Sequence, residues 1–134
     1  METLAISILC LALNVWHEAR SEPTKAQMAV ALVTVNRSRA KGRTICEEVY
    51  SPHQFSWTTE ADKRVQLPLS TSPEWIEAQE VAKLSLTVKD FTKGALWYHH
   101  VGVSPWWKWR MKEVGTWGAH VFYVCKPKYT CNWR

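Results

Sequence analysis

Five positions near the start of this chain constrain its fold most. Leu4, Ile8, Leu11, Val15 and Glu18 fall at i, i+4, i+7, i+11 and i+14. That spacing predicts a helix with all five side chains on one face. Four of them belong in a core, so the helix must pack against something. The fifth is a carboxylic acid at the end of the stripe. A carboxyl bordered by apolar side chains resists ionisation. A Glu that keeps its proton near neutral pH is what a general acid needs. At a fraying helix end the same side chain would simply face water.

The 134 residues suit one compact domain spanning residues 1–134. With 46% hydrophobic and 22% charged residues, the chain should bury a real core. Nine tryptophans are too many for a core of this size to hide, so some should line a groove. The net charge of +5 suits an anionic partner, either nucleic acid or a bacterial envelope polymer. Lys108, Arg110 and Lys112 interleave with Trp106, Trp107 and Trp109. No recognition-helix or RNP-like pattern accompanies them, so no nucleic-acid partner is expected.

The four cysteines do not read as a metal site. Cys10 lies within the first helix and reads as a small core residue. Cys46 is isolated. Cys125 and Cys131 are spaced too widely for a zinc knuckle pair. They could pair in an oxidising compartment or remain reduced. No metal and no cofactor are expected. The apolar run from Leu4 to Val15 is too short to span a bilayer and lacks the basic flank of a signal peptide. The expectation is a monomer made in the cytoplasm, without stable membrane insertion.

The first helix should run from about Thr3 to Glu18. A second should start at Pro23, capped by Ser21 or Glu22, and stop at Gly42. Its Met28, Ala31, Leu32 and Val35 form an apolar stripe. A third should start at Thr71-Ser72-Pro73-Glu74, where Thr71 and Glu74 have capping-box spacing. Trp75, Ala82 and Leu86 share one face of it. The stretch 44–70 reads as a long irregular loop, and such loops are often functional. Residues 94–101 and 119–124 read as strands joined by 102–118. The expected class is α+β, mainly α, with a small antiparallel sheet.

Several motifs then fall in a recognisable order. Trp16-His17-Glu18-Ala19-Arg20-Ser21-Glu22-Pro23 is followed by Gln27-Met28-Ala29-Val30-Ala31 and Asn36-Arg37. Val49-Tyr50-Ser51-Pro52, Gln54-Phe55-Ser56, residues 95–99 and His120-Val121-Phe122-Tyr123 come next. Together they resemble the SleB/CwlJ-type cell-wall hydrolase domain, a family of spore-cortex lytic enzymes and phage endolysins. The resemblance implies a lysozyme-like, lytic-transglycosylase-like fold that cuts peptidoglycan glycan strands. It also implies that Glu18 is the catalytic acid. One departure is Ser21, where the family usually has Gly. No separate wall-binding module is expected.

Most glycosidases need two carboxylates. A lytic transglycosylase needs one, because the 6-hydroxyl of the muramic sugar is its own nucleophile. No partner acid stands out, which favours that route. A lysozyme-type hydrolase remains the alternative, with Glu47, Glu48, Glu60 or Asp62 as second acid. Gln27, Asn36, Gln54, Phe55, Ser56, Tyr98, His99 and His120 are candidate substrate-binding residues. Each could equally be a structural residue. Trp106 and Trp107, with Trp109, could stack on sugar rings or plug the sheet. A zinc amidase or peptidase would use His17, His53, His99, His100 and His120, but the chain has no H-E-x-x-H. A non-catalytic envelope-binding module is a further rival. The expected setting is action on the wall, in periplasm or spore cortex. A phage endolysin released by a hole-forming partner (a holin) fits best.

Overall fold

The computed structural model describes residues 1–51, 54–59, 66–129 and 131. Among the described residues, four helices precede a three-stranded sheet. They are α1 (Leu4–Ala19), α2 (Thr24–Lys41), α3 (Ile45–Val49) and α4 (Pro73–Ser85). The strands are β1 (Trp97–His100), β2 (Met111–Trp117) and β3 (His120–Cys125). Short 3-10 helices occupy Ser56–Thr59 and Trp106–Arg110. The class is α+β and mainly helical, as the sequence predicts.

Helix α1 starts where Thr3 accepts a hydrogen bond from Ile6 N, 3.2 Å. Its stripe is buried only in part. Leu11 and Val15 are fully buried and Ile8 is half-buried, but Leu4 is exposed. The first stripe residue therefore finds no core, although Cys46 of α3 contacts Glu2 and Ile6 beside it. Helix α2 differs from its expected single stripe. Ala31 and Val35 pack with α1 and α4, while Ala29, Val30 and Val33 pack with Phe122 and Ala95 beside the sheet. A helix buried all round is a central helix. It stops at Gly42, in the left-handed conformation at φ 65°.

Other boundaries shift for identifiable reasons. No side chain caps α2; Pro23 occupies the cap position, and Ser21 takes φ 70° in the turn before it. Ser72, not Thr71, caps α4 by accepting from Trp75 N. The stretch 44–70 is not wholly irregular. Thr44 and Glu47 form a reciprocal capping box that starts α3. Glu48 is buried against Lys41, 3.1 Å away.

The sheet order is β1-β3-β2, all antiparallel, with Tyr98 opposite Phe122 and Trp97 opposite Tyr123. Strand β2 lies within the segment expected to be a plain connection. A bulge between Glu113 and Gly115 breaks the alternation that marks a strand in sequence. Cys10 is not a lone core thiol, nor is Cys46 isolated. They form a disulfide joining α1 to α3, and Cys125 bonds Cys131.

Candidate active site

The last turn of α1 delivers Trp16, His17, Glu18 and Arg20 to one edge of the helical layer. Asn14, one turn earlier, is fully buried. Its Nδ2 donates to Thr34 Oγ1 (3.3 Å) and its Oδ1 accepts from Trp57 Nε1 (2.8 Å). A buried amide with both ends satisfied fixes geometry. Here it pins the 3-10 helix to α1. His17 then stacks on Trp57, with ring centroids 4.3 Å apart at 18°. The Arg20 guanidinium lies 3.9 Å over the Trp16 ring.

Two hollows meet at Glu18. One of about 280 Å³ is lined by Trp16, His17, Glu18, Arg20, Ser56, Trp57 and 66–68. The other is lined by Glu18, Gln54, Phe55, Ser56 and Thr59. Glu18 and Ser56 border both, so Glu18 stands at the middle of one cleft. The half-buried Glu18 accepts a hydrogen bond from Tyr98 Oη at 2.6 Å. Burial raises the Tyr98 phenol well above its ordinary value, and the charge of Glu18 adds to this. Tyr98 therefore stays a donor throughout the physiological range.

Glu22 sits four residues on, beyond the helix break. Its Oε1 accepts from Ala119 N (2.8 Å), and its Oε2 lies 3.2 Å from His120 Nδ1. A Cβ at Gly118 would come within 2.5 Å of Glu22 Oε1 and 2.7 Å of Ala26 Cβ, so this approach requires glycine. The His120 ring meets Tyr98 edge-on at 5.1 Å. Glu22, His120, Tyr98 and Glu18 thus form a continuous chain of contacts that reaches the cleft at Glu18.

The remaining sequence candidates divide clearly. Gln54, Phe55 and Ser56 line the cleft with Glu18. Arg37, given no role by the sequence beyond its place in the Asn36-Arg37 motif, donates from Nη1 to Gln54 Oε1 (2.9 Å) and from Nε to Leu96 O (2.6 Å). Burial pulls its guanidinium below the ordinary value, against the raising effect of Tyr98, Glu48 and Glu18. Gln27 is fully buried, and its Nε2 donates to Glu22 O and to Glu77 Oε1. Asn36 donates to Asp90 Oδ2 and Ala95 O. Both amides brace the frame rather than line the cleft. His99 bonds Tyr123 Oη, and Trp107 packs on both rings, on the sheet face away from Tyr98. Trp106 is exposed on the same short helix.

Among the acids weighed as a second carboxylate, Glu47 caps α3 and Glu48 pairs with Lys41. Glu60 and Asp62 lie outside the described residues, as does His53 among the zinc candidates. Among the described residues, no three His, Cys, Asp or Glu side chains converge as a metal site. Nor is any helix there long and apolar enough to cross a membrane.

A model of the cell wall hydrolase family matches residues 21–123. The chain belongs to this family. The match starts just past Glu18, and structural similarity extends across 90% of the chain. This cell wall hydrolase is similar to the catalytic domain of the germination-specific lytic transglycosylase SleB from Bacillus anthracis. The two share 24% identity and a TM-score of 0.72, over 90% of this chain and 93% of that one. The catalytic domain of Bacillus cereus SleB is 28% identical, also at TM-score 0.72, over 90% and 89%. No curated protein sequence matches.

Proposed function

We propose that this cell wall hydrolase cleaves peptidoglycan between N-acetylmuramic acid and N-acetylglucosamine as a lytic transglycosylase, with Glu18 as acid and then base. The observation that carries this reading is Glu18 at the centre of the cleft with no second carboxylate lining it among the described residues. The SleB likeness supports the same chemistry. Protonated Glu18 gives its proton to the bridging oxygen as the C1–O bond breaks. The resulting carboxylate takes the proton of the muramic 6-hydroxyl as O6 bonds to C1. No water is consumed, and Glu18 ends protonated again. Tyr98 holds the carboxylate in place through both halves.

Mass spectrometry of digested peptidoglycan tests this. The expected products carry 1,6-anhydro-muramic ends. Reducing muramic ends, with Glu60 or Asp62 as essential as Glu18, would establish a two-carboxylate hydrolase instead. We propose further that the setting is host lysis by a phage endolysin, with a hole-forming partner giving access to the wall. The basic charge and the two disulfides support action outside the cytosol. Lysis of expressing cells only when a hole-forming protein is co-expressed checks that setting.

A further inference from the structure

The outer face of the sheet carries an aromatic surface that the cleft does not use. Trp107 meets Tyr123 edge-on at 5.5 Å and seats the short helix Trp106–Arg110 on this face. Trp106 and Trp109 are left 72% and 59% exposed. The Arg110 guanidinium lies 4.8 Å from the Trp106 ring and 5.6 Å from the Trp109 ring. Its Nε is buried and has no hydrogen-bond partner among the described residues. Tyr129 braces Trp109 edge-on at 5.2 Å, and Lys126 Nζ donates to Trp109 O. The two indoles are therefore held in place by their neighbours although they face solvent.

Exposed, braced indoles on a small domain mark a partner surface. The charge around them indicates its sign. Lys108, Arg110, Lys126 and Lys128 flank the indoles in segment 106–129 and outnumber Glu113, which lies opposite Tyr123 on this face, while Lys112 is opposite Val124 on the other face. The partner should present flat apolar faces together with negative charge. Sugar rings offer C–H faces to indoles, and peptide stems on a glycan strand carry carboxylates. We propose that Trp106, Trp109 and Arg110, with the flanking lysines, form a second binding face for the anionic glycan strands of the wall. It lies on the opposite side of the sheet from Tyr98 and Glu18. The choice of ligand rests on the activity proposed above. Holding the wall at two places raises the local concentration of cleavable strand at the cleft.

The test is binding, not turnover. The Glu18→Gln protein is sedimented with insoluble peptidoglycan stripped of phosphate-rich polymers, across a salt series. Adding Trp106→Ala and Trp109→Ala should weaken binding about tenfold or more, because two stacking contacts are lost. Trp106→Phe with Trp109→Phe should retain most of it. Lys108→Glu with Lys128→Glu, both at exposed positions, should weaken it and flatten its salt dependence. Unchanged affinity in the alanine and charge-reversed proteins overturns the proposal. So does tighter binding to single-stranded oligonucleotides or anionic phospholipid vesicles than to the stripped wall. Because the readout needs no cleavage, these results stand apart from the product analysis that tests the chemistry.

Discussion

Glu18 and Asp90 are both half-buried carboxylates, and the molecule treats them in opposite ways. Asp90 accepts from Thr92 N, Thr92 Oγ1, Gly94 N and Asn36 Nδ2, all within 3.0 Å. Among the described residues, Glu18 accepts only from Tyr98. A carboxylate surrounded by donors organises backbone and has little capacity left for a ligand. A carboxylate with one donor and a cleft in front of it remains available for chemistry. Glu22, held by Ala119 N and His120, stands nearer the Asp90 pattern. Donor count and cleft position, more than burial, separate the proposed catalytic acid from the structural ones.

The sharpest way to break this comparison is Glu18→Gln. It should lower kcat on cell walls by roughly 10²–10⁴-fold, the usual contribution of a general acid–base group, with the melting temperature near the parent value. A Gln protein that still clears walls at a comparable rate would make Glu18 just another structural acid. Tyr98→Phe comes next. Losing a hydrogen bond to a charged group costs roughly 1.5–3 kcal/mol, so kcat should fall about ten- to hundredfold. An unchanged kcat would detach Tyr98 from the reaction.

Asp90→Asn should do the reverse. An amide cannot accept from all four donors, so stability should fall by about 1–3 kcal/mol, with kcat well below the melting temperature near the parent value. Burial raises the Asp90 carboxyl, but its hydrogen bonds outweigh that and hold it below its ordinary value. A depressed carboxyl stabilises the fold above its unfolded pKa. That stability is lost as pH falls below about 3.8 and through the lower folded value. Acid unfolding followed by circular dichroism should show this loss in the parent and less of it in the variant. The smallest effect concerns the turn after Glu18. Ser21 at φ 70° carries left-handed strain that glycine lacks. Ser21→Gly should gain about 0.5 kcal/mol after the extra chain entropy of glycine is counted. A loss in thermal unfolding would show that the Ser side chain stabilises the turn.

Much of the frame was legible in the sequence because its signals are short-range. Thr3, Pro23, Gly42 and Ser72 mark helix ends within a few residues of where they act. Leu11, Val15 and Glu18 were readable from periodicity alone. Strand β2 was missed because a bulge interrupts its alternation, and α3 because a five-residue helix leaves too little pattern. Arg37, quoted only as part of a motif, and Asn14 were given no role because a buried polar side chain looks like a defect in a helix until its partner is known. Asn14 had one signal: a polar residue inside the apolar run Leu11 to Val15.

The sequence alone determined that α1 ends in a carboxyl on its packed face, that the chain buries a core, and that it is basic and rich in tryptophan. Those properties follow from composition and from spacings under twenty residues. Only the tertiary structure decided which group meets Glu18. Tyr98 is eighty residues away, and strand alternation alone could not choose between Tyr98 and His99. The register of β1 on β3, with α2 packed beneath, turns Tyr98 toward the cleft and His99 toward Trp107. The same folding sent Gln27 and Asn36 into the frame, joined Cys10 to Cys46, and left Trp106 and Trp109 on the far face. Contacts between distant segments depend on how whole elements pack, and no local pattern encodes that.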